Sequence, residues 1–65
     1  MQDDREVIFE FRRVGSAVRV VAVDAATGVE ACIVGAASAG EAALCRAARR
    51  KLAYVLARRR ASGTP

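Results

Sequence analysis

Hydrophobic and polar residues alternate along the first third of the chain. Residues 6–14 and 17–24 follow a period of two and are rich in β-branched side chains, which predicts two strands. Gly15 and Ser16 lie between them and favour a two-residue hairpin turn that pairs Val14 with Ala17. This register places one apolar set on a single face of the sheet: Val7, Phe9, Phe11, Val18, Val20 and Ala22.

A second turn and a short third strand follow. Asp24 opens the turn and Gly28 suits the left-handed position at its end, so residues 29–34 are predicted to form the third strand. Pairing Asp24 with Val29 puts Ala31 and Ile33 on the first face, and Cys32 and Val34 on the second. The result is a three-stranded antiparallel meander in which the second strand is central.

The last third of the chain has the composition and periodicity of one long helix. Ala, Leu and Arg dominate residues 39–60, the predicted helix, and Ser38 with Glu41 matches a capping box at its start. Its apolar stripe should cover the first sheet face. The predicted fold is therefore α+β, a β-meander followed by a C-terminal helix packed on one face (β-β-β-α). The predicted core is Phe9, Phe11, Val18, Val20, Ile33, Leu44, Leu52, Val55 and Leu56.

Length and composition predict one small domain over residues 1–65, with fraying at 1–5 and 61–65. Apolar residues make up 54% of the 65 positions, too many for a disordered chain. No uncharged run reaches the length that spans a bilayer. Charged residues occupy positions 3–6, where a signal peptide would not place them. We therefore expect a soluble, cytoplasmic protein with no membrane partner.

The residues that usually carry out catalysis are scarce. The chain has no His, the commonest acid–base group and metal ligand. Cys32 and Cys45 lack the spacing of a zinc pair, and the sheet should separate them, so both are expected to be reduced thiols. Sequence thus predicts a protein that is not an enzyme, with no catalytic, cofactor-binding or metal-binding residues, no cofactor and no small-molecule substrate.

One helix can cover only one face of the meander, so the second face is expected to be open. Left uncovered, Ile8, Val21, Val23 and Val34 form an apolar patch on it, which is large for a small monomer. This face also carries Val14 and Cys32. The leading hypothesis is a small interaction module that uses this face for a protein partner or for self-association.

Charge is distributed unevenly and suggests an alternative function. Residues 1–37 carry a net charge of −2 and residues 38–65 a net charge of +6. A nucleic acid or another polyanion would be attracted to such a helix. The alternative is therefore a nucleic-acid-binding domain that uses the outer helix face, through Arg46, Arg49, Arg50 and Arg60.

Several segments resemble a family of short, uncharacterised bacterial proteins of unknown function. The matching segments are residues 5–15, 24–28, 33–35, 37–44 and 50–57. Ala36 follows Gly35 where the family has Pro, which should loosen the helix entry slightly. Members sometimes carry a serine hydroxymethyltransferase label, but 65 residues are too few to enclose the pyridoxal-phosphate cofactor of that chemistry. The resemblance implies no catalytic or binding residues.

Overall fold

The computed structural model describes residues 6–62 and has the predicted α+β fold. Three antiparallel strands form one sheet in the order β1-β2-β3, and a helix follows. The bounds are β1 Val7–Val14, β2 Ala17–Asp24, β3 Glu30–Ala36, a 3-10 turn Ala37–Ala39 and α1 Glu41–Ser62. The sequence predicts fraying at 1–5 and 61–65. Residues 1–5 and 63–65 lie outside the described residues, and residues 61 and 62 are the last two of the helix.

The predicted strand register is confirmed. Val14 pairs with Ala17 across the first hairpin, and Gly15 has the positive φ of 61° that its turn requires. The N–H of Asp24 donates to the Val29 carbonyl at 2.9 Å across the second turn. β3 begins one residue later and ends two residues later than predicted. It ends later because the Ala37 N–H extends the ladder by donating to the Ser16 carbonyl at 2.8 Å.

The core lies between the inner face of the sheet and α1. The helix packs mainly on β3 and β2, and small side chains at the contact let the two layers approach closely. The buried apolar residues are Val18, Val20, Ala22, Ala31, Leu44, Ala48 and Leu52. Around them pack half-buried residues that include Phe9, Ile33, Val55 and Leu56.

Phe11 does not belong to the core, and this prediction was wrong. Its side chain is 42% exposed although it lies on the inner face, directly opposite the fully buried Val20. The reason is the position of α1, which covers β2 and β3 and leaves the inner side of β1 only partly covered.

The predicted capping box is also wrong, because α1 begins at Glu41 rather than at residue 39. Gly40 has a φ of 90°, which is outside the helical region, so the helix starts only after it. The first α-helical hydrogen bond runs from the Leu44 N–H to the Gly40 carbonyl at 3.1 Å. Ser38 lies in the preceding 3-10 turn, and Glu41 is the first helical residue instead of the third.

Candidate interaction surfaces

The outer face of the sheet carries a diagonal apolar band. Ile8 on β1 lies opposite Val23 on β2, and Val21 lies opposite Cys32 on β3. Val34 continues the band beyond Cys32 along β3. Ile8 is 49% exposed and Val34 is 69% exposed, whereas Val21 and Val23 are half-buried by their neighbours. The four residues singled out from the sequence thus lie side by side, with Cys32 joining them.

Arg19 lies next to this band and is held by Cys32. Its Nε–H donates to the Cys32 Sγ at 3.0 Å. This hydrogen bond, with Coulombic attraction to Cys32 and Glu30, raises the pKa of Arg19 above its ordinary value. The hydrogen bond ties the Arg19 side chain to β3, although its direct cross-strand partner on β1 is Arg12.

A lysine of the helix contacts the β3 edge of the sheet. The ladder bonds of Val29 and Ala37 to β2 show that odd positions of β3 face β2, so the even positions present their backbone groups to the free edge. Lys51 Nζ donates to the Cys32 carbonyl at 2.8 Å on that edge. A lysine placed there opposes the addition of another strand. Nothing in the sequence singles out Lys51 for this position, because which residue of the helix reaches the β3 edge depends on how α1 lies across the sheet.

The β1 edge is open. The Ala25 N–H donates to the Glu6 carbonyl at 3.1 Å, so even positions of this strand face β2 and odd positions face outward. Among residues 6–62, no hydrogen-bond partner lies on this edge. The backbone groups exposed there belong to Val7, Phe9, Phe11 and Arg13.

The four arginines of the predicted polyanion surface are exposed, but they do not all point away from the sheet. The Arg49 guanidinium lies 5.6 Å from the centroid of the Phe9 ring, a cation–π contact. Arg60 lines a hollow beside Asp24 at the second hairpin turn. Of the four arginines, Arg46 and Arg50 remain as an exposed pair one helical turn apart. The predicted basic surface is therefore divided.

Asp24 is a buried acidic residue with a structural role at the second hairpin turn. Asp24 is 1% exposed, and the Thr27 hydroxyl donates to its Oδ2 at 2.7 Å. The period-two pattern of β2 places Asp24 on the inner face, and this signal could have predicted its burial.

Cys32 and Cys45 are both free and half-buried. Residues 6–62 contain no cluster of three or more side chains that could hold a metal ion.

The helix is not apolar enough to cross a membrane anywhere in the described part of the chain. An open three-stranded sheet with one helix on its inner face makes this a small α+β domain. The chain belongs to the family of the domain of unknown function DUF6898, whose model matches residues 4–59. Comparisons with curated proteins and with solved structures found no match.

Proposed function

We propose that the chain is a non-enzymatic interaction module of the cytoplasm, which binds a protein partner through the outer face of its sheet. One observation carries the proposal: Val34 and Ile8 are largely exposed at the two ends of a continuous apolar band. Burying such a band removes apolar surface from water, which favours association.

The band also indicates what kind of surface the partner presents. It runs diagonally across three strands, with Val21 and Val23 at its centre and no charged residue between them and Ile8. Glu10 and Glu30 flank it. An apolar ridge, such as one side of an amphipathic helix, would pack along the band.

A matched pair of substitutions tests this function. Val34→Glu places a charge in the band, and Tyr54→Glu places the same charge at a helix position that is also largely exposed. Capture from native lysate in about 0.5 M salt should retain one defined protein with the wild type and with Tyr54→Glu, and lose it with Val34→Glu, because apolar burial resists screening.

The same capture distinguishes the nucleic-acid alternative. Recovery of nucleic acid that is released by salt and lost in the double variant Arg46→Glu/Arg50→Glu, while Val34→Glu retains it, would replace the proposed function. Equal recovery of every protein with the wild type and Val34→Glu would also contradict it.

A further inference from the structure

The free edge of β1 concentrates exposed apolar side chains. Ile8, Phe11 and Val14 all lie on this strand and are 49%, 42% and 66% exposed. The backbone groups of the edge are open, and α1 packs mainly on the other two strands. A strand that is unpaired along its backbone and carries exposed apolar side chains on both faces is a template for another strand. This surface is the edge of the sheet, so the inference does not rest on the function proposed above.

We infer that the chain forms a homodimer in which β1 pairs antiparallel with β1 of a second copy, about a twofold axis at Phe11. The two sheets then become one sheet of six strands. Pairing at β1 leaves each helix on its own β2 and β3.

Backbone geometry restricts the register of such a pair. Odd positions of β1 point to the free edge, so odd positions must face odd positions. Near the middle of β1, a twofold axis can therefore pass through Phe9, Glu10, Phe11 or Arg12. An axis at Glu10 sets two glutamates opposite each other, and an axis at Arg12 sets two arginines opposite each other. Like charges directly opposite are destabilising, which disfavours both.

An axis at Phe11 makes the strand complementary to itself. Glu10 then faces the second copy's Arg12, and Arg12 faces its Glu10, so opposite charges meet twice. Ile8 faces Val14 of the second copy, and Val14 faces its Ile8. These pairs lie on the outer face, and each such cross-strand pair favours association.

An axis at Phe9 fits less well. Each axis sets one apolar residue opposite a charged one, Ile8 opposite Glu10 here and Phe9 opposite Arg13 at the other, but only the axis at Phe11 gives Ile8 an apolar partner on the outer face. The axis at Phe9 also leaves Val14 opposite position 4, beyond the start of β1 at Val7. The axis at Phe11 instead pairs positions 8–14 of one copy with positions 8–14 of the other, all of them within β1.

The inner side of β1 has room for the pair of phenylalanines. A groove of about 290 Å3 lies beside Phe11, lined by Val18, Leu44 and Ala37 with Arg13 and Glu41 at its polar side. With the axis at Phe11, the two Phe11 rings meet beside this groove, where aromatic pairs gain from contact. The dimer would thereby cover the inner face that α1 leaves open.

Charge exchange tests both the dimer and its register. Glu10→Arg makes positions 10 and 12 both positive, and Arg12→Glu makes them both negative. Each variant alone should dimerise about ten- to thirtyfold more weakly than the wild type, because two attractive pairs become repulsive. An equimolar mixture should recover dimers, since opposite charges again meet at both pairs. Sedimentation equilibrium measures all three against the 6.9 kDa monomer.

Hydrogen exchange on the wild type provides a second measurement that needs no variant. The amides of Phe9, Phe11 and Arg13 should become protected as concentration rises, because they gain partners only in the dimer. Val34→Glu should leave this protection unchanged, which separates the β1 edge from the outer-face function. A wild type that stays monomeric, a mixture that fails to recover dimers, or exchange at these amides that does not depend on concentration would overturn the inference.

Discussion

Leu44 packs against the backbone of Gly35 so closely that a Cβ at position 35 would stand 2.5 Å from the Leu44 Cδ2. Leu44 is buried at the start of α1 and Gly35 lies near the end of β3. Because Gly35 has no side chain, Leu44 occupies the space where a Cβ would lie. This contact therefore determines how closely the start of α1 approaches β3.

Gly35→Ala is expected to destabilise the domain by about 1–3 kcal/mol, because the added methyl group overpacks the contact. The same substitution in a Leu44→Val background should cost clearly less, since valine has no Cδ2. Chemical denaturation of the four proteins gives the coupling energy between the two positions. An equal cost in both backgrounds would show that the contact does not limit position 35.

Leu52→Ala should cost more than Phe11→Ala. Leu52 is fully buried between α1 and the sheet, and its truncation leaves a cavity worth about 2–5 kcal/mol. Phe11 is partly exposed in the monomer, so we expect a loss of about 1–2 kcal/mol. Thermal unfolding in dilute solution checks the order, and the reverse order would place Phe11 in the core after all.

Ser38→Ala is expected to change stability by less than about 0.5 kcal/mol, because Ser38 does not cap α1. Thr27→Ala should instead cost about 1–3 kcal/mol, since it removes the hydroxyl that donates to the buried Asp24 carboxylate. Thr27→Ser, which keeps the hydroxyl, is the matched control and should lose less. Urea denaturation at neutral pH compares the free energies of unfolding of the three variants. A large loss of stability in Ser38→Ala would indicate that Ser38 caps α1 after all.

Lys51→Met should increase association at the β3 edge. Methionine keeps an unbranched apolar side chain but removes the ammonium group that donates to the Cys32 carbonyl. Arg50→Met removes the same charge from the neighbouring exposed position and should have no such effect. Light scattering over a concentration series compares the two, and identical behaviour would assign any change to net charge alone.

The sheet could be predicted from the sequence because its register depends on local chemistry. Gly15 and Ser16 fix the first hairpin, and pairing Asp24 with Val29 fixes the second, so that alternation then assigns every side chain to a face. The outer band of Ile8, Val21, Val23 and Val34 follows from that alternation, as does the separation of Cys32 from the core.

The position of the helix could not be predicted in the same way. Periodicity shows which stripe of α1 is apolar, but it does not show which strands the stripe crosses. The exposure of Phe11 and the contact between Arg49 and Phe9 both depend on that lateral position. At the helix start, the residues from Ser38 to Glu41 fit a capping box in composition, and the positive φ of Gly40 appears only in three dimensions.

The hydrogen bond from Lys51 to the Cys32 carbonyl makes the two edges of the sheet unequal. A sheet with two available edges can add copies without limit and grow into a fibre. In a dimer that forms through β1, the only free edges are the two β3 edges. Lys51 opposes strand addition at each of them, so a third copy does not add to the sheet. A single ammonium group would thus terminate polymerisation and set the stoichiometry of the assembly at two.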